Sequence, residues 1–170
     1  MGEIGGETRF FAPAKINLTL RVTGRRDDGY HELDSIFVPL DFGDDLAIRL
    51  RPAQRAEIRC RCPGHPELET ADNLAHRAAA RYLGLTGWNA AVEIEIAKRI
   101  WIAAGLGGGS SNAGTVLRAL QGCPAPDRPG PLADSALRDL ALELGADVPF
   151  FLDPRPARVR GIGEQIEPID

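Results

Sequence analysis

Disulfides, membrane spans and basic surface are all scarce in this chain, and each scarcity excludes a class of protein. Cys60, Cys62 and Cys123 are an odd set in a sequence whose first residues show no secretory signal, which argues against a disulfide framework. No apolar run approaches the length of a membrane span. A net charge of −4 opposes a nucleic-acid partner, because binding a phosphate backbone wants a basic face. The expectation is a cytoplasmic protein with neither a membrane nor a nucleic-acid partner. What is present suffices for a core: 44% of the 170 residues are hydrophobic, which suits one domain or one and a half.

The cysteines invite a metal reading, with His65 close to Cys60-x-Cys62. However, Ile58, Cys60 and Cys62 share one side of an alternating stretch against Glu57, Arg59 and Arg61, and no fourth ligand is identifiable. They read as small core residues.

The run AAGLGGGSSNAG at 103–114 carries the most information. Gly105, Gly107, Gly108 and Gly109 lack Cβ atoms, so the backbone there can take φ > 0 and bring several N–H groups to a ligand. Before it, Val92, Ile94 and Ile96 alternate with Glu93 and Glu95 as a half-buried strand does. After it, Ala113, Val116, Leu117 and Leu120 have helical spacing, with Ser110 or Ser111 at the N-cap. A glycine loop between strand and helix is where phosphates bind, since the helix adds the positive end of its dipole. The P-loop pattern fails because no lysine follows these glycines. The dinucleotide pattern fails because Ser110 replaces its third glycine, and the protein-kinase H-R-D and D-F-G triplets are missing.

Periodicity predicts strands near 8–12, 15–24, 33–41, 45–51, 56–62, 90–98 and 158–168, and helices near 73–83, 110–121 and 133–144. Asp72 is placed as N-cap of the first helix, with Gly84 just past its end. The proline-rich stretch 124–131 reads as a loop. In 15–24, Ile16, Leu18, Leu20 and Val22 are expected to face the core, which gathers Lys15, Asn17 and Thr19 on the other face. Antiparallel strands with helices to one side make an α+β fold.

Taken singly, several residues have ordinary readings. Lys15 is a strand lysine, Asp147 a turn residue, Tyr30 and His31 an aromatic cap, Asp72 a helix cap and Lys98 a strand-end cation.

The glycine loop resembles that of the GHMP small-molecule kinases, whose consensus reads P-x-x-x-G-L-G-S-S-A. It is closer still to the branch acting on a diphosphocytidyl polyol, with G-L-G-G-G-S-S-N-A, which Gly105 to Ala113 reproduce without a gap. PAKINLTL at 13–20, DDGYHELDSIF at 27–37, GADVPFFL at 145–152 and GIGEQIEP at 161–168 fit that branch in order. Trp101, Ala103, Ala104 and Gly114 depart from it: proline is usual at the first, glycine at the next two and alanine at the last.

The resemblance implies the two-layer fold of ribosomal protein S5 domain 2, with a left-handed β-α-β unit. It further implies ATP- and Mg²⁺-dependent phosphorylation of the 2-hydroxyl of 4-diphosphocytidyl-2-C-methyl-D-erythritol in non-mevalonate isoprenoid (terpenoid) biosynthesis. Lys15 and Asp147 become the catalytic pair, and Asn17, Tyr30 and His31 bind the cytidine diphosphate conjugate. Lys98, Asn73, Gly105, Leu106, Gly107, Gly108, Gly109, Ser110 and Ser111 bind ATP, with Ser110 or Ser111 as an Mg²⁺ contact. Residues 1–153 would form the ATP-binding domain and 154–170 lead into a second domain that relatives possess. That second half also supplies the aromatic residue closing the cytosine pocket, so partly kept ATP binding with weak or no turnover is expected of this chain alone. Self-association through the carboxyl-terminal edge, at Ile162 and Ile166, is expected too. The alternatives are a sister kinase for mevalonate or homoserine, opposed by the D-G-Y-H-E-L stretch, and a nucleotide-binding fragment without catalysis.

Overall fold

The computed structural model describes residues 6–25, 31–124 and 128–169. Its spine is a long antiparallel hairpin, β1 (Glu7–Arg25) with β2 (His31–Pro52). Each strand joins two shorter expected ones, because β-bulges let the pair bend without breaking. On the other edge of β2 two partners lie end to end. Residues 45–52 pair antiparallel with β4 (Ala90–Ala97), and residues 33–37 pair with β5 (Ala157–Gly161). β3 (Glu57–Arg61) runs parallel to β4, and the crossover between them holds α1 (Leu74–Thr86). The stretch expected as one strand at 158–168 is a hairpin of β5 and β6 (Gln165–Pro168), turned by Gly161 and Gly163 at φ 70° and 125°.

With α2 (Gly108–Gln121) and α3 (Asp134–Leu144), the helices cover one face of this sheet, giving two layers. Leu46, Ile48, Val92, Ile94 and Ile96 from the sheet meet Ala78, Tyr82, Val116, Leu117, Leu120 and Leu140 from the helices. Small residues on α1 let the helices approach closely, and Tyr82 places its hydroxyl on Gln121 Oε1 at 2.8 Å. Cys60 and Cys62 belong to this core, where burial pushes the Cys60 thiol up to about 12. A second cluster, Phe37, Phe150, Phe151, Ala157 and Val159, fills the space beneath a 3-10 helix at Pro149–Leu152.

Two local expectations are corrected. The cap of α1 is Asn73, whose Oδ1 accepts the Ala75 N–H at 2.9 Å, and Gly87 at φ 65° ends the helix three residues beyond Gly84. Leu18, Leu20 and Val22 do not face the core: they are 62%, 58% and 62% exposed. A bulge between Asn17 and Thr19 inserts Leu18 and shifts the alternation. Leu20 consequently lies opposite Ser35, and Val22 opposite Leu33, on the side where Asn17 faces Phe37. That end of the hairpin runs past the layer that buries Phe37.

Gly114 has a packing reason. A Cβ there would lie 2.6 Å from Phe151 Cβ, so its absence lets α2 touch the 3-10 helix. In Gly114→Ala, helix propensity favours alanine by about 1 kcal/mol, while overpacking costs about 1–3 kcal/mol. The clash wins because one wall of it is backbone. We expect a net loss of roughly 1 kcal/mol, read as a Tm lower by about 2–4 °C in thermal unfolding. An unchanged or raised Tm would contradict this packing.

Candidate functional site

β4 ends at Ala97 and the chain passes through residues 98–107 into α2. Gly105 and Gly107 take left-handed φ of 74° and 71°, whereas Gly108 and Gly109 are already helical. Gly107, not a serine, stands at the cap position, and its carbonyl accepts the Ser111 N–H at 2.8 Å. Ala103 also has φ 58°, so left-handed strain falls on a residue with a Cβ. The loop is fastened to β1 by the Lys15 N–H donating to Leu106 O at 2.9 Å.

Between the loop and the start of α1 lies a cleft of about 410 Å³. Leu68, Leu74 and Ile96 give it apolar walls, and Lys98, Asn73, Ser110 and Asn112 its polar ones. The amino end of α2 points its free N–H groups and positive dipole end into this region. Trp101, 72% exposed, forms part of the rim and packs at 5.9 Å between ring centres on Phe42. Ser110 lines the cleft, while Ser111 Oγ and Asn112 Oδ1 are buried with no hydrogen-bond partner among the described residues.

Lys15 is 5% exposed and sits against Gly107: a Cβ on that glycine would lie 3.2 Å from Lys15 Cγ. Its ammonium is 3.3 Å from Asp147 Oδ2, donates to Asn17 Oδ1 at 2.7 Å and lies 4.4 Å from the centre of the Phe37 ring. Burying an ammonium is costly unless charge and acceptors replace water, and these three groups do so. Asp147 stands in the turn after α3 and keeps 32% of its side chain open to solvent. One end of the pair is therefore enclosed and the other accessible. Ser35, fully buried on β2, orients the set. Its single hydroxyl hydrogen goes to Thr19 O at 2.5 Å, so its oxygen accepts from Asn17 Nδ2 at 2.8 Å, which turns Asn17 Oδ1 toward Lys15.

Lys98 is the other lysine of the chain; the 20 basic residues are otherwise arginine. Its ammonium donates to Asp44 Oδ2 at 2.7 Å, and a Cβ on Gly108 would lie 3.0 Å from it. The two lysines thus flank successive glycines of the loop, each with an aspartate.

Of the other expected site residues, Tyr30 and the side chain of His31 lie outside the described residues. Asn73 lines the cleft, but both ends of its amide are engaged, Oδ1 by the Ala75 N–H and Nδ2 on Leu68 O at 2.9 Å. Asp44, Ser35 and Asn112 were not foreseen. Asp44 fell in the expected gap between two strands, and nothing in its neighbourhood announces a partner 54 residues away.

Known proteins resemble this chain in sequence and in fold. The model of the GHMP kinases N terminal domain matches residues 73–153, which hold α1, the loop, α2 and Asp147. The chain is 50% identical over 160 residues to a 4-diphosphocytidyl-2-C-methyl-D-erythritol kinase of Anaeromyxobacter dehalogenans, covering 94% of this chain and 49% of that one. A kinase of the same name from Deinococcus radiodurans is 48% identical, with 94% and 51% covered. The chain spans about half the length of these relatives. A crystal structure of 4-(cytidine 5'-diphospho)-2C-methyl-D-erythritol kinase superposes with a TM-score of 0.78 at 42% identity, over 95% of this chain and 55% of that chain. A homoserine kinase from Cytophaga hutchinsonii shares the fold at 19% identity and a TM-score of 0.66, over 99% of this chain and 53% of its own. By sequence and by fold, this chain is an amino-terminal domain of the GHMP kinase family.

Proposed function

We propose that the chain is the nucleotide-binding part of a cytoplasmic kinase that moves the γ-phosphoryl group of ATP to the 2-hydroxyl of 4-diphosphocytidyl-2-C-methyl-D-erythritol. The observation that carries the reading is the Lys15–Asp147 pair, held at 3.3 Å beside Gly107 of the phosphate loop. The names and 45–50% identities of the relatives support this choice of substrate. In this reading residues 1–153 are the ATP-binding domain, and 154–170 lead toward the second.

Phosphoryl transfer asks a protein for positioning and for stabilisation of charge. The loop N–H groups and the amino end of α2 hold the triphosphate. The accessible Asp147 carboxylate accepts the proton of the attacking hydroxyl as its oxygen forms the bond to phosphorus and ADP leaves with the electrons of the broken P–O bond. Lys15 fixes that carboxylate and offers its remaining N–H groups to the transferred phosphoryl oxygens. Asn17 holds Lys15 in place and, on the resemblance, also contacts the substrate, with Tyr30 and His31 reading the cytosine. Mg²⁺ suits a site of this kind, since it usually binds through phosphates and one or two protein oxygens; Ser110, open to the cleft, fits better than the buried Ser111. When bound, the ion would neutralise charge on the β- and γ-phosphates.

Self-association through the carboxyl-terminal edge belongs to the same proposal, on altered grounds. Ile166 packs inward against the Phe37 cluster, so β6, the end strand of its side of the sheet, is what a partner would meet. Light scattering at rising concentration should show a dimer; a monomer throughout would remove this part.

Substitution tests the cradle and the pair separately. Gly108→Val drives a side chain into Lys98 and Ile100, and should abolish ATP binding while cooperative unfolding persists. Undiminished ATP affinity would sink the cradle. In an active form of the enzyme, Asp147→Asn should lower turnover by about 10²–10⁴ in a coupled assay of ADP release, with ATP affinity within about threefold of wild type. Lys15→Met should behave similarly. Near-normal turnover in Asp147→Asn would make Asp147 a turn residue only.

A further inference from the structure

Asp44 lies on β2 at the seam between its two ladders, where pairing with β5 ends at Phe37 and pairing with β4 begins at Asp45. Its side chain is fully buried and all its acceptor capacity points one way. Oδ1 accepts the N–H groups of Arg99 and Ile100 at 2.7 and 2.8 Å, and Oδ2 accepts from Lys98 Nζ at 2.7 Å. Past Ala97, β4 has left the sheet, so those two N–H groups would lack partners without this carboxylate. A side chain thus takes over from a strand at the point where the chain turns into the glycine loop.

What Asp44 holds is also what α2 rests on. A Cβ on Gly108 would lie 3.0 Å from both Lys98 Nζ and Ile100 Cγ2, so the first residue of the helix sits on two of the groups that Asp44 fixes. Lys98 is, among the described residues, the one cation lining the cleft. A free lysine there would sample many rotamers; this one has a single direction, with two of its three N–H groups left for other acceptors.

We propose that Asp44 is a positioning residue of the phosphate cradle, whose carboxylate sets the Lys98 ammonium beneath the first residue of α2 as the second cation for the nucleotide phosphates. The inference rests on the ATP-binding reading above and adds to it a residue whose effect on the phosphates runs through Lys98, beside its hold on the Arg99 and Ile100 N–H groups. A merely structural Asp44 would hold the loop whether or not Lys98 were present.

The two roles separate in a double-mutant cycle on ATP affinity, measured by calorimetry on the 170-residue chain. Asp44→Asn and Lys98→Met should each raise the ATP Kd by about tenfold or more, the size of one charge-assisted hydrogen bond. The double variant should be no weaker than Lys98→Met alone, within about twofold. Equal affinity of Asp44→Asn and wild type overturns the proposal, as does a double variant weakened by both factors. A second measurement needs no fold-sensitive variant, because a chain with two lysines gives two side-chain ammonium signals in ¹⁵N-lysine NMR. Addition of ATP to wild type should shift the Lys98 signal, assigned by its loss in Lys98→Arg. A Lys98 signal that stays fixed while the loop amides shift overturns the role of Asp44 and leaves ATP binding intact. No response to ATP anywhere overturns the ATP-binding reading, and this inference with it.

Discussion

A lysine taken out of water must find its hydration elsewhere, and the answer to that demand at Lys15 draws three parts of the chain to one point. The ammonium needs Asp147 from the turn after α3, Asn17 from its own strand and the Phe37 ring from β2, at 3.3, 2.7 and 4.4 Å. Removing one partner of a buried pair leaves a charge stranded, typically at a cost of about 3–5 kcal/mol, somewhat less here because Asp147 is partly solvated. Such a pair is weak evidence for stability, since an apolar pair often does as well. Its presence beside the glycine loop that we propose as the phosphate cradle makes better sense as chemistry than as cement.

The sheet prepares the place. β2 is long enough to pair with β4 at one end and β5 at the other, and between them it offers a stretch with β1 on one side only. The glycine loop enters there, tied by backbone to Lys15 of β1 and, through the Arg99 and Ile100 N–H groups, to the Asp44 carboxylate of β2. Gly107 and Gly114 serve two different contacts of α2. The first lets the loop close over Lys15, and the second lets the helix settle on Phe151, which also stands against Gly107. A change at Phe151 would therefore be felt at the loop through packing alone.

Local features of this arrangement were legible in the sequence and distant ones were not. The strand before the loop, the helix after it and the pairing of Lys15 with Asn17 follow from periodicity, which needs only near neighbours. The Lys15–Asp147 pairing came from the family resemblance, because residues so far apart carry no periodic signal of contact. The outward display of Leu20 and Val22 was missed because a bulge changes parity without leaving a mark such as glycine: Leu18 is the inserted residue. Asn73 took the cap from Asp72 by one position, a distinction that depends on where the preceding 3-10 turn delivers the chain. The winding of Gly108 and Gly109 into α2 ran against their low helix propensity, and tertiary packing on Lys98 and Ile100 accounts for it.

On the proposed reading, the Lys15–Asp147 pair and the glycine loop form one phosphoryl-transfer site. A crystal structure of the chain with a non-hydrolysable ATP analogue addresses it most directly. The β-phosphate is expected on N–H groups of the loop and the first turn of α2, with the terminal phosphate within about 3 Å of Lys15 Nζ and facing Asp147. A nucleotide bound with its phosphates away from Lys15, or seated outside the cleft, would contradict it.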